Sequence, residues 1–274
     1  GADPGPWQAV RAQRPRRRGR RACRGHRSGG HRPCPRRRLV GVASRPGPPA
    51  WARDPRRRLV QRLAAVRDRI DEARRAAGRT DEIALVVVTK FFPAGDVDLL
   101  VDLGVTDIGE NRDQEAVAKV ASLRHRDRLR VHFIGQLQSN KAGSVAGYAD
   151  VVQSVDRAKV VRALDRGATA SGRVLDVTVQ VALSDSEGRG GVPVDQAPAL
   201  ADVVTQAASL RLRGVMAVAP LGEDPRAAFA RLREVRDGIR RSHPAATWMS
   251  AGMSGDLEAA VAEGATHLRV GSAI

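Results

Sequence analysis

The sequence predicts an α/β fold of the (β/α)8, or TIM-type, barrel class. From residue 53 onwards, eight short segments with strand character alternate with segments that show helical periodicity. No second block of different character interrupts this alternation, which is typical of a parallel sheet covered by helices. Polar stretches follow several strands, where barrels of this class place their chemistry. We therefore expect one barrel domain over residues 53–274, preceded by a segment of a different kind.

The first element of the barrel region is a predicted amphipathic helix over residues 55–78. Its apolar residues recur at spacings of three and four, while arginines and acidic residues fill the other faces. These apolar positions are Leu59, Leu63, Val66, Ile70 and Ala73. Gly78 is a natural helix end, because glycine accepts the backbone conformation that follows a last helical turn.

The first strand, residues 83–90 (IALVVVTK), carries the residue around which the functional prediction is built. Its six consecutive apolar residues are typical of a strand buried on both faces, as in parallel sheets. The strand ends with Lys90, which a barrel would hold at its carboxyl end. Apolar surroundings favour the neutral amine of a lysine, and a neutral amine can form a Schiff base with an aldehyde. The alternative interpretation of Lys90 is a surface lysine that merely ends a strand.

Seven further strands and seven helical segments follow in alternation. The other predicted strands are residues 105–110, 131–136, 149–155, 175–183, 210–218, 247–252 and 267–273. The predicted helices between them are residues 93–103, 112–123, 142–147, 158–167, 196–209, 225–242 and 256–264. An open doubly wound sheet is the alternative arrangement, since about one or two strands can be miscounted from a single sequence. No G-x-G-x-x-G motif follows the first strand, which argues against a dinucleotide-binding version of that sheet.

Polar and small residues collect after several of the predicted strands. The second strand is followed by residues 109–112 (GENR), and the third by residues 135–141 (GQLQSNK). The loops after the seventh and eighth strands, residues 250–256 (SAGMSGD) and 269–272 (RVGS), are rich in glycine and serine. Barrels of this class frequently bind a phosphate with these two loops, because small residues expose backbone N–H groups at a helix start.

Each of these two loops could also be an ordinary strand-to-helix turn, capped by Ser254 or Asp256. Their joint occurrence at the expected phosphate position, together with the lysine on the first strand, favours a binding site. A ligand that bears both an aldehyde and a phosphate would engage the lysine and the two loops at once. Pyridoxal 5′-phosphate (PLP) is such a ligand, and it is the cofactor that we predict.

A series of motifs runs in order through residues 55–274. The motifs are VVVTKFFP, DIGENRDQEA, VHFIGQLQSNK, VQSVDR, LRGVMAV and SAGMSGDLEAAVAEGATHLRVGSAI. Together they resemble the pyridoxal phosphate homeostasis protein family, whose members are single-domain barrels related to the N-terminal domain of alanine racemase. The GEN, HFIG-LQSNK and GMS-D-EAA elements are the most specific parts of this resemblance.

The resemblance implies a set of cofactor-binding residues. It implies that Lys90 binds PLP as an aldimine and that Asn111 lies beside the cofactor. The phosphate-binding residues that it implies are Ser254, Gly271 and Ser272, with Arg269 in the same strand-end motif.

Two other parts of the sequence have less defined roles. Gln138, Asn140 and Lys141 match the third loop of the family, without an assigned function at the cofactor. His132 begins the predicted third strand, which is far from a site at the carboxyl ends of the strands. We therefore interpret His132 as structural.

Related barrels that racemise amino acids use a tyrosine from an added β domain as a second acid/base group. This chain has a single tyrosine, Tyr148, which precedes the fourth predicted strand. A carboxylate for the pyridine nitrogen of PLP, which would make the ring an electron sink, is not identifiable either. The resemblance thus implies storage and delivery of PLP with little or no catalysis, with PLP-dependent apo-enzymes as candidate partners. The alternative is a PLP-dependent racemase or decarboxylase of the same barrel type.

The family continues past the eighth strand with a phenylalanine-glycine turn and a closing helix, whereas this sequence ends at Ile274. We expect the barrel to lack that last helix and part of the phosphate-binding wall. Backbone groups next to the phosphate would then be incompletely satisfied, which bears directly on the affinity for PLP.

Residues 1–52 differ sharply from the barrel region. The first fifty residues hold 14 arginines, no lysine and one acidic residue, so they carry +13 of the net charge of +17. The balance of +4 on the remaining residues leaves the barrel without a large basic surface. Because the tail is rich in Arg, Pro and Gly and lacks apolar periodicity, we expect it to be disordered. We favour the interpretation that it is non-native, translated from an upstream frame.

Three functional interpretations of the tail remain open. A transit peptide would be Arg-rich and acid-poor, but also Ser-rich and amphipathic, which this segment is not. An arginine-rich arm can bind RNA through its phosphates, so nucleic acid is expected as a partner of the tail only. The residues Cys23, His26, His31 and Cys34 form a C-x2-H-x4-H-x2-C array of ligand types that zinc accepts, although the loop between its halves is short. We predict no metal site from this array.

Both cysteines of the chain lie in the tail, so the barrel region has no disulfide framework. No apolar run approaches the roughly 20 residues that span a bilayer. We therefore expect a soluble protein of the cytoplasm that has no membrane partner.

Overall fold

The computed structural model describes residues 54–184 and 190–274. Within these ranges the chain forms a barrel of eight parallel strands surrounded by helices, and the predicted (β/α)8 fold is confirmed. The tail of residues 1–52, predicted to be disordered, and its array of Cys23, His26, His31 and Cys34 lie outside the described residues. The interpretations of that tail therefore stay predictions.

The barrel strands occur where the sequence predicts them, with ends that differ by no more than three residues. The strands are β1 (Ala84–Val88), β2 (Asp107–Glu110), β3 (Arg130–Phe133), β4 (Val151–Val155), β5 (Leu175–Ala182), β6 (Val192–Pro193), β7 (Leu210–Met216), β8 (Trp248–Ser250) and β9 (His267–Val270). Strand β6 pairs with the end of β5 and lies outside the barrel count. The sequence does not predict β6, because two residues are too few to show a pattern.

The predicted helices are likewise present, with small shifts at their ends. The helices are α1 (Pro55–Ala76), α2 (Ala94–Asp102), α3 (Asp113–Ala121), α4 (Ala142–Tyr148), α5 (Ala158–Ala170), α6 (Ala197–Thr205), α7 (Pro225–Ser242) and α8 (Leu257–Ala262). Helix α1 is capped by Asp54, whose Oδ1 accepts a hydrogen bond from the Arg56 amide at 3.0 Å. Among the helices of the described ranges, none reaches the length and apolar character that membrane crossing requires.

The barrel is closed by a pairing between its first and last strands in the sheet order. The order is β4-β3-β2-β1-β9-β8-β7-β5, and β4 also pairs with β5. All of these pairs are parallel, so the carboxyl ends of the strands meet at one end, here called the carboxyl rim. The opposite end is called the amino rim. Since Val87 of β1 lies opposite Val270 of β9, the segments that follow these two strands are neighbours at the carboxyl rim.

Side chains of the strands alternate between the barrel interior and the layer beneath the helices. A Cβ at Gly109 would lie 3.2 Å from Val86 Cγ1 and 3.6 Å from Val88 Cγ2, so these three positions face one another inside the barrel. Val87 points the other way and belongs to the buried apolar layer that also contains Leu100 of α2. The apolar run of β1 is therefore buried on both faces, as its composition predicts.

The amino rim is held together by two carboxylates that each bind two arginines. Asp176 accepts hydrogen bonds from Arg130 at 3.0 Å and from Arg211 at 2.9 Å. The second group consists of Asp150, Arg126 and Arg173, with both nitrogen–oxygen distances at 2.7 Å. The charges at this end of the barrel thus satisfy one another within the fold.

Candidate functional site

Lys90 lies in a tight turn directly after β1. The turn is closed by a hydrogen bond from the Phe92 amide to the Thr89 carbonyl oxygen at 2.8 Å, so Lys90 and Phe91 are its central residues. Lys90 is half-buried, and its Nζ lies 5.1 Å from the centre of the Phe91 ring. Phe91 itself is 81% exposed. The structure therefore holds the amine at the carboxyl rim, against an aromatic ring.

A buried ion pair fixes Thr89, the residue before Lys90. Lys119 Nζ, on α3, donates hydrogen bonds to the Thr89 carbonyl oxygen at 2.6 Å and to Glu110 Oε1 at 2.8 Å. Thr89 Oγ1 donates to the same Glu110 oxygen at 2.6 Å. The second oxygen, Glu110 Oε2, is buried and has no partner within the described ranges. The turn that presents Lys90 is thus anchored from the helix layer as well as from the sheet.

Asn111 follows β2 and carries an unsatisfied polar atom. Its side-chain oxygen Oδ1 is buried and finds no hydrogen-bond partner in the part of the chain that the structure describes. The backbone oxygen of Asn111 packs so closely on Gly135 that a Cβ at that position would clash with it. The loops after β2 and β3 therefore approach each other only because residue 135 is glycine. An unpartnered buried amide oxygen is unfavourable unless a ligand completes it.

The loop after β9 lies beside the turn of Lys90. A Cβ at Gly271 would lie 3.0 Å from Val88 Cβ and 3.1 Å from the Val88 carbonyl oxygen, which is closer than a side chain can approach without displacing its neighbours. The Gly271 carbonyl oxygen accepts a hydrogen bond from the Ile274 amide at 3.0 Å, so the loop turns back immediately. Ser272 is exposed within this turn. Gly271 and Ser272 therefore share the carboxyl rim with Lys90.

The loop after β8 brings Ser254 to the same rim. Its path depends on Gly252, which has φ of +92° and where a Cβ would lie 2.6 Å from a side chain of α8. The Ser254 carbonyl oxygen accepts a hydrogen bond from Arg69 of α1 at 3.2 Å. The alternative prediction of a helix cap at Asp256 is wrong, because no side chain caps α8. Asp256 Oδ1 instead accepts a hydrogen bond from the Met253 amide at 2.6 Å, within the loop.

Arg269 lies inside the barrel on β9 and is only 4% exposed. Its Nη1 donates to Ser250 Oγ at 2.7 Å, and its Nη2 donates to the Ala217 carbonyl oxygen at 2.8 Å. Burial lowers the pKa of the guanidinium to about 10, an effect that the negative charge of Asp256 partly offsets. A buried cation whose bonds go to neutral oxygens favours an anionic group nearby.

A chain of hydrogen bonds connects Arg269 with the amino half of the barrel. Ser250 Oγ donates to Gln153 Oε1 at 2.7 Å, and Gln153 Nε2 donates to His132 Nδ1 at 2.8 Å. His132 Nε2 is then left to donate to Asp107 Oδ1, at 2.8 Å. Burial lowers the pKa of His132, an effect that the hydrogen bond and the charge of Asp107 oppose. His132 is the third of the four residues of β3 and does not begin the strand. The side chains of Gln153 and Ser250 connect it to Arg269.

The residues of the third loop lie next to Asn111. Gln138 and Asn140 are exposed, and Lys141 Nζ lies 4.0 Å from a carboxylate oxygen of Asp113. Gln138 and Lys141 line a cavity of about 430 Å³ together with Asn111. The structure thus brings this loop to the edge of the candidate site.

Tyr148 ends α4 and leads directly towards β4, so it lies on the side of the amino rim. Burial, together with the charges of Asp113 and Glu110, raises the pKa of its hydroxyl far above the usual range. The hydroxyl is buried and has no hydrogen-bond partner among residues 54–184 and 190–274. In the same ranges, no group of three or more His, Cys, Asp and Glu residues is arranged to hold a metal ion.

Four residues support this site without a role assigned from the sequence: Glu110 and Ser250, which lie in the predicted strand-end segments 109–112 and 250–256, and Gln153 and Lys119, which the sequence does not single out. Gln153 and Ser250 lie in strands whose sequences, VVQSV and WMS, are otherwise apolar at most positions, and a polar residue inside a buried strand is the signal that could have found them. Glu110 gives the same signal at the end of β2, whereas Lys119 on α3 gives none. Their pairing arises only when α3 packs on the outside of β1 and β2.

The fold and the carboxyl rim define a class of protein, and a comparison with known families agrees with it. The family model described as alanine racemase, N-terminal domain, matches residues 61–274. The chain is thus a barrel of the alanine racemase N-terminal-domain class.

Relatives narrow this class further. The pyridoxal phosphate homeostasis protein of Mycobacterium tuberculosis is 42% identical over 235 residues, which cover 79% of this chain and 91% of the relative. The protein of the same name from Corynebacterium glutamicum is 43% identical over 199 residues, which cover 70% and 89%. The structure of PipY from Synechococcus elongatus, solved with PLP bound, superimposes with a TM-score of 0.70 at 34% identity and covers 78% of this chain and 98% of PipY. This chain belongs to the pyridoxal phosphate homeostasis protein family, as its motifs predict.

Proposed function

We propose that this protein binds PLP through Lys90 and acts in PLP homeostasis, storing and delivering the cofactor with little or no catalysis. The two relatives at 42 and 43% identity are named for this role, and PipY, at 34% identity, was solved with PLP bound. The observation that carries the proposal is that the predicted amine and the predicted phosphate loops lie at one rim. The amine of Lys90 and the glycine- and serine-rich loops after β8 and β9 lie at the same end of the barrel.

The residues at the carboxyl rim fit this cofactor. PLP supplies an aldehyde that condenses with a primary amine, and a phosphate that requires several hydrogen-bond donors. Lys90 offers the amine, and the buried Oδ1 of Asn111 still lacks a partner within the described ranges. Gly271 lets the loop after β9 pack directly against Val88 beside the turn of Lys90, where a Cβ would lie 3.0 Å from Val88 Cβ. The guanidinium of Arg269 supplies positive charge from below the rim.

Each predicted site residue has a role in this proposal. Lys90 holds the cofactor covalently, and Asn111 contacts it from the neighbouring strand end. The phosphate is bound by residues of the last two loops, namely Ser254, Gly271 and Ser272. Arg269 makes the interior beneath these loops favourable for negative charge.

Lys90 has to leave its contact with the Phe91 ring before it can react. The contact between its Nζ and the Phe91 ring, at 5.1 Å, stabilises the charged ammonium form. Only the neutral amine attacks an aldehyde. We therefore infer that Lys90 leaves the Phe91 ring when the cofactor enters.

We favour a carrier over a racemase or decarboxylase of the same barrel type. Either reaction requires a second acid/base group at the carboxyl rim. Tyr148, the single tyrosine of the chain, ends the helix that leads towards the amino rim. As part of the same proposal, PLP-dependent apo-enzymes are the recipients of the cofactor, and the cytoplasm is the location in which the transfer occurs.

Absorbance titration with PLP tests the proposed function. Wild-type protein should develop the visible band of lysine-bound cofactor, and Lys90→Ala should not. Lys159→Met serves as the control, because Lys159 is an exposed lysine on α5. In parallel, racemisation and decarboxylation of amino acids should be negligible with PLP present. A retained band in Lys90→Ala would reject the assignment of Lys90, and a substantial turnover rate would reject the carrier role.

A further inference from the structure

The turn that presents Lys90 depends on one carbonyl group. The Thr89 carbonyl oxygen accepts the hydrogen bond that closes the turn, from the Phe92 amide at 2.8 Å. The same oxygen accepts a second hydrogen bond from Lys119 Nζ at 2.6 Å. This carbonyl belongs to the peptide group that leads into Lys90. Its orientation therefore sets the direction in which the Lys90 side chain leaves the backbone.

Lys119 is held at this position by an ion pair with Glu110. Its ammonium donates to Glu110 Oε1 at 2.8 Å, and the two side chains are 10% and 1% exposed. Hydrogen bonds from a charged donor are stronger than neutral ones, and the absence of water at a buried site strengthens them further. Thr89 Oγ1 completes the cluster through its own bond to Glu110. The Thr89 carbonyl oxygen is thus held by a buried ammonium group, which is itself fixed by its hydrogen bond to Glu110.

We propose that Lys119 is a positioning residue for Lys90, acting through the Thr89 carbonyl, and that Glu110 holds Lys119 in place for this purpose. The proposal rests on the proposed function, since it assigns Lys119 to the amine that receives PLP. Covalent capture needs the amine within a few tenths of an ångström of the productive position, which favours a support built from packed and hydrogen-bonded groups. Lys119 approaches from the helix layer, so it can fix the turn without occupying the cofactor space.

The cluster could instead serve stability alone, and two variants separate the two roles. Lys119→Met by itself leaves the Glu110 carboxylate buried without its cation, which destabilises the fold. The double variant Glu110→Gln, Lys119→Met removes both charges and also removes the hydrogen bond to the Thr89 carbonyl. We therefore expect the double variant to recover stability but not the orientation of Lys90. Lys159→Met is the matched control for loss of a lysine.

Three measurements on the full chain test the proposal: urea unfolding without cofactor, the dissociation constant for PLP, and the visible circular-dichroism band of the bound cofactor. The double variant should unfold close to wild type. It should nevertheless bind PLP about tenfold more weakly, because it lacks a hydrogen bond from a charged donor. Its circular-dichroism band should also weaken, since this band reports how rigidly the cofactor is oriented. Lys159→Met should match wild type in all three.

The proposal is overturned if the folded double variant binds PLP with an unchanged dissociation constant and an unchanged circular-dichroism band. Should the double variant fail to fold, Glu110→Met, Lys119→Met replaces the ion pair with apolar side chains and is judged by the same criteria. If wild type and Lys159→Met both fail to bind PLP, the proposed function itself falls and this inference falls with it. A defect confined to the Lys119 variants distinguishes the positioning role from that case.

Discussion

The two rims of the barrel satisfy their polar groups in opposite ways. At the amino rim, Asp150 and Asp176 each bind two arginines at distances of 3.0 Å or less. At the carboxyl rim, Arg269 donates to neutral oxygens, and Asn111 Oδ1 has no partner in the described part of the chain. The two carboxylates of the amino rim therefore have their cations within the fold, whereas the buried cation of the carboxyl rim has no carboxylate among its hydrogen-bond partners in the described ranges. In barrels of this class the amino end generally serves stability and the carboxyl end carries the functional site.

Aromatic residues show the same contrast. Trp248, near the amino rim, is buried, and the guanidinium groups of Arg130 and Arg213 lie 5.1 and 4.7 Å from the centre of its ring. Phe91, at the carboxyl rim, is 81% exposed and touches the amine of Lys90. A buried ring contributes to folding. The exposed ring beside the Lys90 amine, by contrast, remains accessible at the carboxyl rim.

The largest expected effect follows from breaking the amino rim. Asp176→Ala leaves Arg130 and Arg211 without their carboxylate and should lower the free energy of unfolding by about 3 kcal/mol. This value is at the low end for a broken ion pair, because the two arginines are 43 and 62% exposed. Urea unfolding measures the loss. The PLP affinity of the folded variant should stay at the wild-type value, and a parallel loss of affinity would show that the two rims are not independent.

The next effect depends on pH and also concerns the amino half of the barrel. Burial lowers the pKa of His267 to about 3, and the nearby His132, Arg130 and Arg213 act in the same direction while Asp107 opposes them. Below its ordinary pKa of about 6.5, the unfolded chain binds a proton at this residue and the folded chain does not. The stability that neutral His267 contributes is therefore complete above pH 6.5 and is lost as the pH falls towards 3.

His267→Gln isolates this contribution. The free energy of unfolding of wild type should fall by about 1.4 kcal/mol per pH unit more steeply than that of the variant between pH 6 and pH 4. Urea unfolding at a series of pH values measures both slopes. Equal slopes would mean that His267 is protonated in the folded protein.

A smaller effect is expected from replacing the buried cation of the carboxyl rim. Arg269→Met should weaken PLP binding about tenfold, because it removes the positive charge beneath the phosphate loops. Its free energy of unfolding should change by no more than about 1 kcal/mol, since a buried charge without a carboxylate partner is replaced by an apolar side chain of similar length. Titration with PLP measures the change in affinity, and urea unfolding measures the change in stability. A loss of stability as large as that of Asp176→Ala would show that Arg269, like the charged groups of the amino rim, serves the stability of the fold.

The smallest effect should have opposite signs for stability and binding. Asn111→Ala removes a buried oxygen that lacks a partner within the described ranges, so the free energy of unfolding should stay constant or rise by up to about 1 kcal/mol. PLP affinity should fall by about threefold or more, because the cofactor loses a polar contact. Lower stability without a change in affinity would show that Asn111 serves the fold and not the ligand.

The barrel itself could be predicted from the sequence because its strands carry strong local signals. The apolar run before Lys90 reads as a strand buried on both faces, and β1 is buried on both faces. The positions of the loops then follow from the topology, since all strands are parallel. Residues at the strand ends, such as Lys90 and Gly271, can thus be assigned to one rim without knowledge of any contact.

The supporting network could not be predicted in the same way. The hydrogen bonds from Arg269 through Ser250 and Gln153 to His132 join residues from four different strands, and their order depends on the register of the closed barrel. The sequence predicts His132 at the start of the third strand and offers Asp256 as an alternative helix cap. Both predictions differ from the structure for related reasons. Strand and helix ends depend on tertiary contacts more than on local sequence.

The chain offers four lysines, and mapping the cofactor onto them tests the central claim most directly. Wild-type protein is incubated with PLP, reduced with borohydride and digested, and the peptides carrying a phosphopyridoxyl group are identified by mass spectrometry. We expect the label on Lys90, with Lys119, Lys141 and Lys159 unmodified at one equivalent of PLP. Label distributed over the other three lysines, or an unlabelled Lys90, would contradict the account.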